Sequence, residues 1–193
     1  WLLHGRLLFQ MATRLKVSWD EQVPEDLAKD WDTWIQSLRT VNALSFPRCL
    51  ITPIFLNGYY EYHVFCDASE SAYGVCIYLR CSSAAGRICS NLFVAKAFVA
   101  PVMRHSIPRL ELQAAYKAVT LAATVIRESD LSLCPVYFWT DSMIVLGYIS
   151  NESFRFRTFV ANRISTIHSL SKISQWRHVK TDDNPSDLLT RPN

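Results

Sequence analysis

Glycine is scarce in this sequence, with 5 residues in 193, and proline stands at 8. The charged fraction is only 19%, against a hydrophobic fraction of 50%. A chain that poor in charge and rich in apolar residues is not intrinsically disordered. No internal repeat or low-complexity tract is present. The length suits one domain of ordinary size with a short appendage. The 6 cysteines include no CxxC pair and no His at zinc-finger spacing, which excludes a structural zinc site. They read as free thiols of an intracellular protein, the alternative being an oxidised pair such as Cys66 with Cys76. No apolar run reaches the roughly 20 residues that span a bilayer, so no membrane partner is expected. The chain opens on Trp1 without a basic-then-apolar leader and reads as a fragment of a longer polypeptide.

The net charge of +3 conceals an asymmetry. Residues 1–60 carry 6 Lys/Arg against 6 Asp/Glu, and residues 61–193 carry 14 against 11. If four of those acids serve cations, the second segment is biased to attract a polyanion.

Apolar residues at helical spacing predict helices over 5–19 (Leu7, Leu8, Met11, Leu15, Val17) and 24–44 (Leu27, Trp31, Trp34, Ile35, Leu38, Val41). Pro24, Glu25 and Asp26 are favourable helix-start chemistry. The pair is expected to dock on the rest of the chain through Trp31, Trp34 and Leu38. Pro47, Pro53 and Gly58 punctuate a linker or edge strand over 46–61. The domain division is therefore 1–45, 46–61 and 62–193.

Strands are predicted at 59–66, 74–80 and 92–99, a three-strand meander, followed by a helix over 108–129. A buried strand at 135–140, helices at 142–150 and 158–170, a strand at 173–179 and a closing helix at 185–190 complete the order. The expected fold class is α/β: a mixed five-stranded sheet in the order βββαβαβα, flanked by helices, with an N-terminal helical appendage.

Four acids fall at element ends on one side of that sheet: Asp67 after the first strand, Glu111 early in the long helix, Asp141 after the buried strand and Asp187 at the closing helix. Side chains at the carboxyl ends of neighbouring strands converge on a crevice. Four carboxylates there repel unless cations neutralise them. Oxygen-only ligands select Mg²⁺ or Mn²⁺. Taken singly, Asp67 could merely end a strand, and Asp141 and Asp187 could be helix caps.

The blocks Phe-Cys-Asp67-Ala-Ser69, Ile-Pro-Arg109-Leu-Glu111-Leu, Phe-Trp-Thr-Asp141-Ser, Trp-Arg-His178-Val and Asn-Pro-Ser-Asp187-Leu-Leu-Thr-Arg occur in this order. The chain thereby resembles the ribonuclease H domain of Bel/Pao-type LTR retrotransposon polyproteins. Residues 1–45 resemble the connection segment on the reverse transcriptase side. The resemblance implies a ribonuclease H-like fold and an endonuclease hydrolysing the RNA strand of RNA/DNA hybrids during reverse transcription. It also implies two Mg²⁺ ions, with Mn²⁺ as a substitute, held by Asp67, Glu111, Asp141 and Asp187, with Asp67 bridging. His178 falls on the family's mobile-loop His that assists product release. Substrate contacts are expected from Ser69, Arg104, His105, Arg109, Arg155 and Arg157. The basic helix-loop that many cellular relatives carry is missing here, so the reverse transcriptase domains of the parent polyprotein are expected partners. The alternatives are a catalytically silent remnant that tethers nucleic acid, and another nuclease or an integrase built on the same sheet.

Overall fold

The computed structural model describes residues 2–103, 105–129, 131 and 133–191. Two helices lead the chain, α1 (Leu2–Arg14) and α2 (Glu25–Leu38). Glu25 and Asp26 occupy the first turn of α2, where the partial positive charge of the helix N-terminus favours them. The run Thr40-Val41-Asn42 has weak helix propensity. There α2 tightens into a 3-10 turn, Arg39–Ala43, rather than continuing to residue 44.

Trp31 and Trp34 pack differently from the expectation. Trp31 meets the Phe9 ring edge-on at 5.1 Å, and the Trp34 indole lies directly over Gly5, where any Cβ would collide with it. The tryptophans thus bind α2 to α1. It is α1 that reaches the sheet, through the Arg6 guanidinium donating to the Ala97 carbonyl and Gln10 Nε2 donating to the Ala100 carbonyl at 2.5 Å.

The sheet has five strands in the order β3-β2-β1-β4-β5: β1 (Tyr59–Ala68), β2 (Ala72–Ser82), β3 (Ile88–Val99), β4 (Val136–Thr140) and β5 (Trp176–His178). The first three pair antiparallel, and β4 and β5 add parallel to β1. A parallel neighbour needs a crossover, which α3 (Ile107–Arg127) supplies between β3 and β4. Ala114, Ala115, Ala118 and Ala122 are the buried small residues of α3, and they let its axis lie close to the sheet. Val64, Cys66, Ile77, Leu112, Val119, Phe138, Ile164 and Ile167 fill the space between sheet and helices. Among the described residues no helix is long and apolar enough to cross a membrane. The six cysteines are free thiols, and burial pushes Cys76 up to about 12.

After β4 come α4 (Met143–Ile149) and α5 (Thr158–Leu170), joined by a 3-10 turn at Ser153–Arg155. Two closing elements are shorter than expected. Residues Ile173–Gln175 wind into a 3-10 turn because Gln175 Oε1 accepts the Lys172 N–H at 2.7 Å, which leaves β5 only three residues. The closing helix is likewise a 3-10 turn, Pro185–Leu189, begun by Asn184 accepting the Ser186 N–H at 3.2 Å.

Candidate active site

Strands β1 and β4 run parallel, with Phe65 paired to Trp139. Asp67 and Asp141 each lie two residues further on, so two carboxylates emerge side by side where neighbouring strands end. The cap of α4 is the Ser142 side chain, which accepts the Val145 N–H, and the cap of the last turn is Asn184. Neither Asp141 nor Asp187 is used as a cap. Asp67 sits inside the β1 ladder opposite Gly74 and is 9% exposed, far too buried for a mere strand terminator.

Glu111 comes in from the second turn of α3. Its Oε2 accepts a hydrogen bond from Ser142 Oγ at 2.7 Å, so one serine both caps α4 and fixes the carboxylate. Asp187 is carried by the Pro185–Leu189 turn, and its Oδ1 pairs with Arg191 Nε at 2.9 Å. Asp67 Oδ2 accepts from the buried Thr190 hydroxyl at 2.5 Å. Three of the four acids thus have one oxygen held by a named neighbour.

Burial pushes the Asp67 carboxyl above its usual range, and the charges of Asp141 and Asp187 push the same way, against the Thr190 and Ala68 hydrogen bonds. Burial also raises Glu111, aided by Asp141 and Asp67 and opposed by Ser142. An acid whose folded-state pKa is raised stabilises the fold while it is protonated. That contribution is complete below the ordinary carboxylate range and is lost as pH rises through the elevated values. The metal-free protein is therefore expected to melt at a higher temperature near about pH 5 than near about pH 7.5, with saturating Mg²⁺ flattening the difference. Thermal melts with and without the cation check this, and a metal-free stability that rises toward neutrality would contradict it.

The donors are all oxygen, and burial together with the neighbouring carboxylates raises both Asp67 and Glu111. In kind, these residues fit a hard divalent cation. They do not form a finished shell: among the described residues no three Asp, Glu, His or Cys side chains stand close enough to hold one ion.

His178 ends β5 opposite Thr140 and is exposed, one residue across from Asp141. Arg104 lies outside the described residues. His105 meets the Phe159 ring edge-on at 5.7 Å and Arg109 lies over it at 5.3 Å, so both stand where α3 meets α5. Arg155 and Arg157 are exposed between α4 and α5. The Ser69 hydroxyl is engaged inside the chain, donating to the Thr190 carbonyl at 2.8 Å and accepting the Ser71 and Ala72 N–H groups at 3.2 Å. Its role here is to close the turn after β1.

Sequence reasoning missed Thr190, Asn184 and Arg163. The first two stood in the Asn-Pro-Ser-Asp-Leu-Leu-Thr-Arg block, whose polar residues flanking the acid were the available signal. Arg163 lies over Phe159 at 3.5 Å beside Arg109, and no motif marked it.

No curated protein matches the chain. Among solved structures it is similar to the N-terminal RNase H domain of rv2228c from Mycobacterium tuberculosis, with 13% identity and a TM-score of 0.45 over 68% of this chain and 91% of that one. The RNase H1 of Halobacterium salinarum gives 15% and 0.40, covering 68% and 94%. The protease-reverse transcriptase of prototype foamy virus gives 14% and 0.40, covering 88% of this chain and 26% of that one. A family model described as the Pao retrotransposon-like RNaseH-like domain matches residues 1–142, a stretch that takes in both leading helices, Asp67, Glu111 and Asp141. The chain belongs to the family of Pao retrotransposon-like RNaseH-like domains.

Proposed function

We propose that this chain is an endonuclease that hydrolyses the RNA strand of RNA/DNA hybrids during reverse transcription, inside the cell and beside the reverse transcriptase domains of its parent polyprotein. The observation that carries the reading is the exit of Asp67 and Asp141 at the ends of adjacent parallel strands, with Glu111 and Asp187 brought to the same end. Family membership supports it.

Asp67 is the residue for a bridging role, because it is the most buried of the four and feels Asp141 and Asp187. Glu111, Asp141 and Asp187 flank it. Two divalent ions, Mg²⁺ or in its place Mn²⁺, would activate the attacking water and stabilise the leaving 3′ oxygen. The chain's own contribution is orientation. Thr190 and Ser142 each hold one carboxylate oxygen, of Asp67 and Glu111 respectively, and so orient both groups toward a cation. Arg191 neutralises Asp187 until a cation does so. His178, exposed beside Asp141, is placed to assist product departure. Arg104, His105, Arg109, Arg155 and Arg157 supply the phosphate contacts, and discrimination of hybrid from DNA relies on 2′-hydroxyls and groove shape rather than base edges.

The alternative reading is a silent nucleic-acid tether. Incubating the purified chain with an end-labelled hybrid, with and without Mg²⁺, decides. Cation-dependent cleavage confined to the RNA strand is expected. Hybrid binding without cleavage at any Mg²⁺ or Mn²⁺ concentration would establish the tether instead.

A further inference from the structure

The segment 184–191 carries one of the four acids and is held on the end of β1 by three side-chain hydrogen bonds. Asn184 Nδ2 donates to the Cys66 carbonyl at 3.2 Å, Ser69 Oγ donates to the Thr190 carbonyl at 2.8 Å, and Thr190 Oγ1 donates to Asp67 Oδ2 at 2.5 Å. Gly74, opposite Asp67 on β2, makes room for this segment, since a Cβ there would stand 2.6 Å from Leu189 Cβ.

Docking of the segment accounts for the first two bonds but not for the third. A threonine hydroxyl has one proton to donate. Thr190 is 0% exposed, so that proton must find an acceptor, and the Asp187 carbonyl of its own turn stands 3.0 Å away. A local bond would therefore have satisfied it. The nearer acceptor is instead the Asp67 carboxylate, and a charged acceptor makes the stronger bond. A valine would fill the same volume, with Asn184 and Leu189 still holding the turn. What the hydroxyl adds to the Ala68 hydrogen bond is a fixed rotation of the Asp67 carboxylate, with Oδ2 turned to Thr190.

We propose that Thr190 is a positioning residue, whose hydroxyl sets the orientation of Asp67 for cation binding and ties Asp67 to Asp187 through one short turn. The inference rests on Asp67 and Asp187 being cation ligands. Groups that hydrogen-bond a ligating carboxylate orient it, and losing one typically costs about 10–100-fold in affinity or activity.

The full 193-residue chain is compared with its Thr190→Val, Thr190→Ser and Leu189→Ala variants. Mn²⁺ affinity is read by calorimetry, melting temperature without metal, and kcat and KM on a hybrid. Thr190→Val is expected to lose about 10–100-fold in Mn²⁺ affinity and to lower kcat with KM for the hybrid unchanged. Thr190→Ser, which keeps the hydroxyl, should restore both. Leu189→Ala loosens the same turn on Gly74 but keeps the hydroxyl, so it should lower the melting temperature more than the affinity.

The proposal fails if Thr190→Val binds Mn²⁺ like the parent, if serine is as impaired as valine, or if Leu189→Ala loses as much affinity as Thr190→Val. Should the valine variant not fold, Thr190→Ala replaces it in the same titration. A parent chain that binds Mn²⁺ in a Thr190-dependent way yet leaves hybrid uncut would overturn the nuclease reading and leave this one standing.

Discussion

Asp67→Asn is expected to abolish hybrid cleavage while raising the melting temperature of the metal-free protein at neutral pH. The two effects share one cause. Asp67 is the most buried of the four acids and feels Asp141 and Asp187, so its ionised form is held at neutral pH at a cost that a cation or a proton removes. An amide removes the charge, keeps the shape, and can still accept the Thr190 hydrogen bond through its oxygen. Each kcal/mol of repulsion relieved would raise the melting temperature by about 2–4 °C in a domain of this size. Cleavage, in contrast, would fall by several orders of magnitude, because a neutral amide is a poor bridge between two divalent ions. Asn substitution at Asp141 and Gln substitution at Glu111 should show the same loss of rate. Calorimetric melts in a chelator, paired with single-turnover cleavage, test both halves. A metal-free variant that melts below the parent would show that the Asp67 carboxylate is a structural asset rather than a burden held for the cation.

The isolated chain is expected to bind hybrid weakly and to gain strongly when joined to a reverse transcriptase polymerase. Only a 3-10 turn, Ser153–Arg155, separates α4 from α5, where a basic helix-loop would otherwise grip the duplex. Among the described residues, Arg109 and Arg163 lie against Phe159, and Arg155 and Arg157 stand apart between α4 and α5. Each phosphate neutralised contributes a slope of about −0.7 to −0.9 to the dependence of log affinity on log salt, so few contacts mean low affinity that salt erodes further. Joining the chain to a polymerase that already holds the hybrid makes the second encounter intramolecular, which is worth about 10²–10⁴-fold when the linker spans the sites. Steady-state cleavage by the isolated chain and by the fusion, across a salt series, makes the comparison. Equal efficiency in both forms would mean that residues 62–193 already contain the whole substrate grip.

The order of strands and the places of the four acids were legible because each rests on local signals: an alternating or apolar run, then an acid at its end. The ends of elements were less so. Ile173 to Val179 reads as one strand until the Gln175 side chain folds back on Lys172, a contact that β-propensity does not register. Trp31 and Trp34 were recognisable as one helix face, but their partner was not, since it is the bare backbone at Gly5 that receives Trp34. Thr190 was legible only as a polar residue near Asp187. Its role depends on a carboxylate 123 positions earlier in the chain, and nothing in the spacing of Leu-Leu-Thr-Arg points that far back.

That same separation sets the order of events when the chain folds. The meander β1–β2–β3 closes through neighbours in sequence, whereas the bonds that link Thr190 with Ser69 and Asp67 span almost the whole domain. Contacts so distant in sequence form slowly, because the chain must give up loop entropy before they return any stability. The three acids at 67, 111 and 141 can therefore be in place while Asp187 is still on an undocked tail. For a domain that cuts hybrid as proposed, competence to cut is then expected to be the last property acquired in folding.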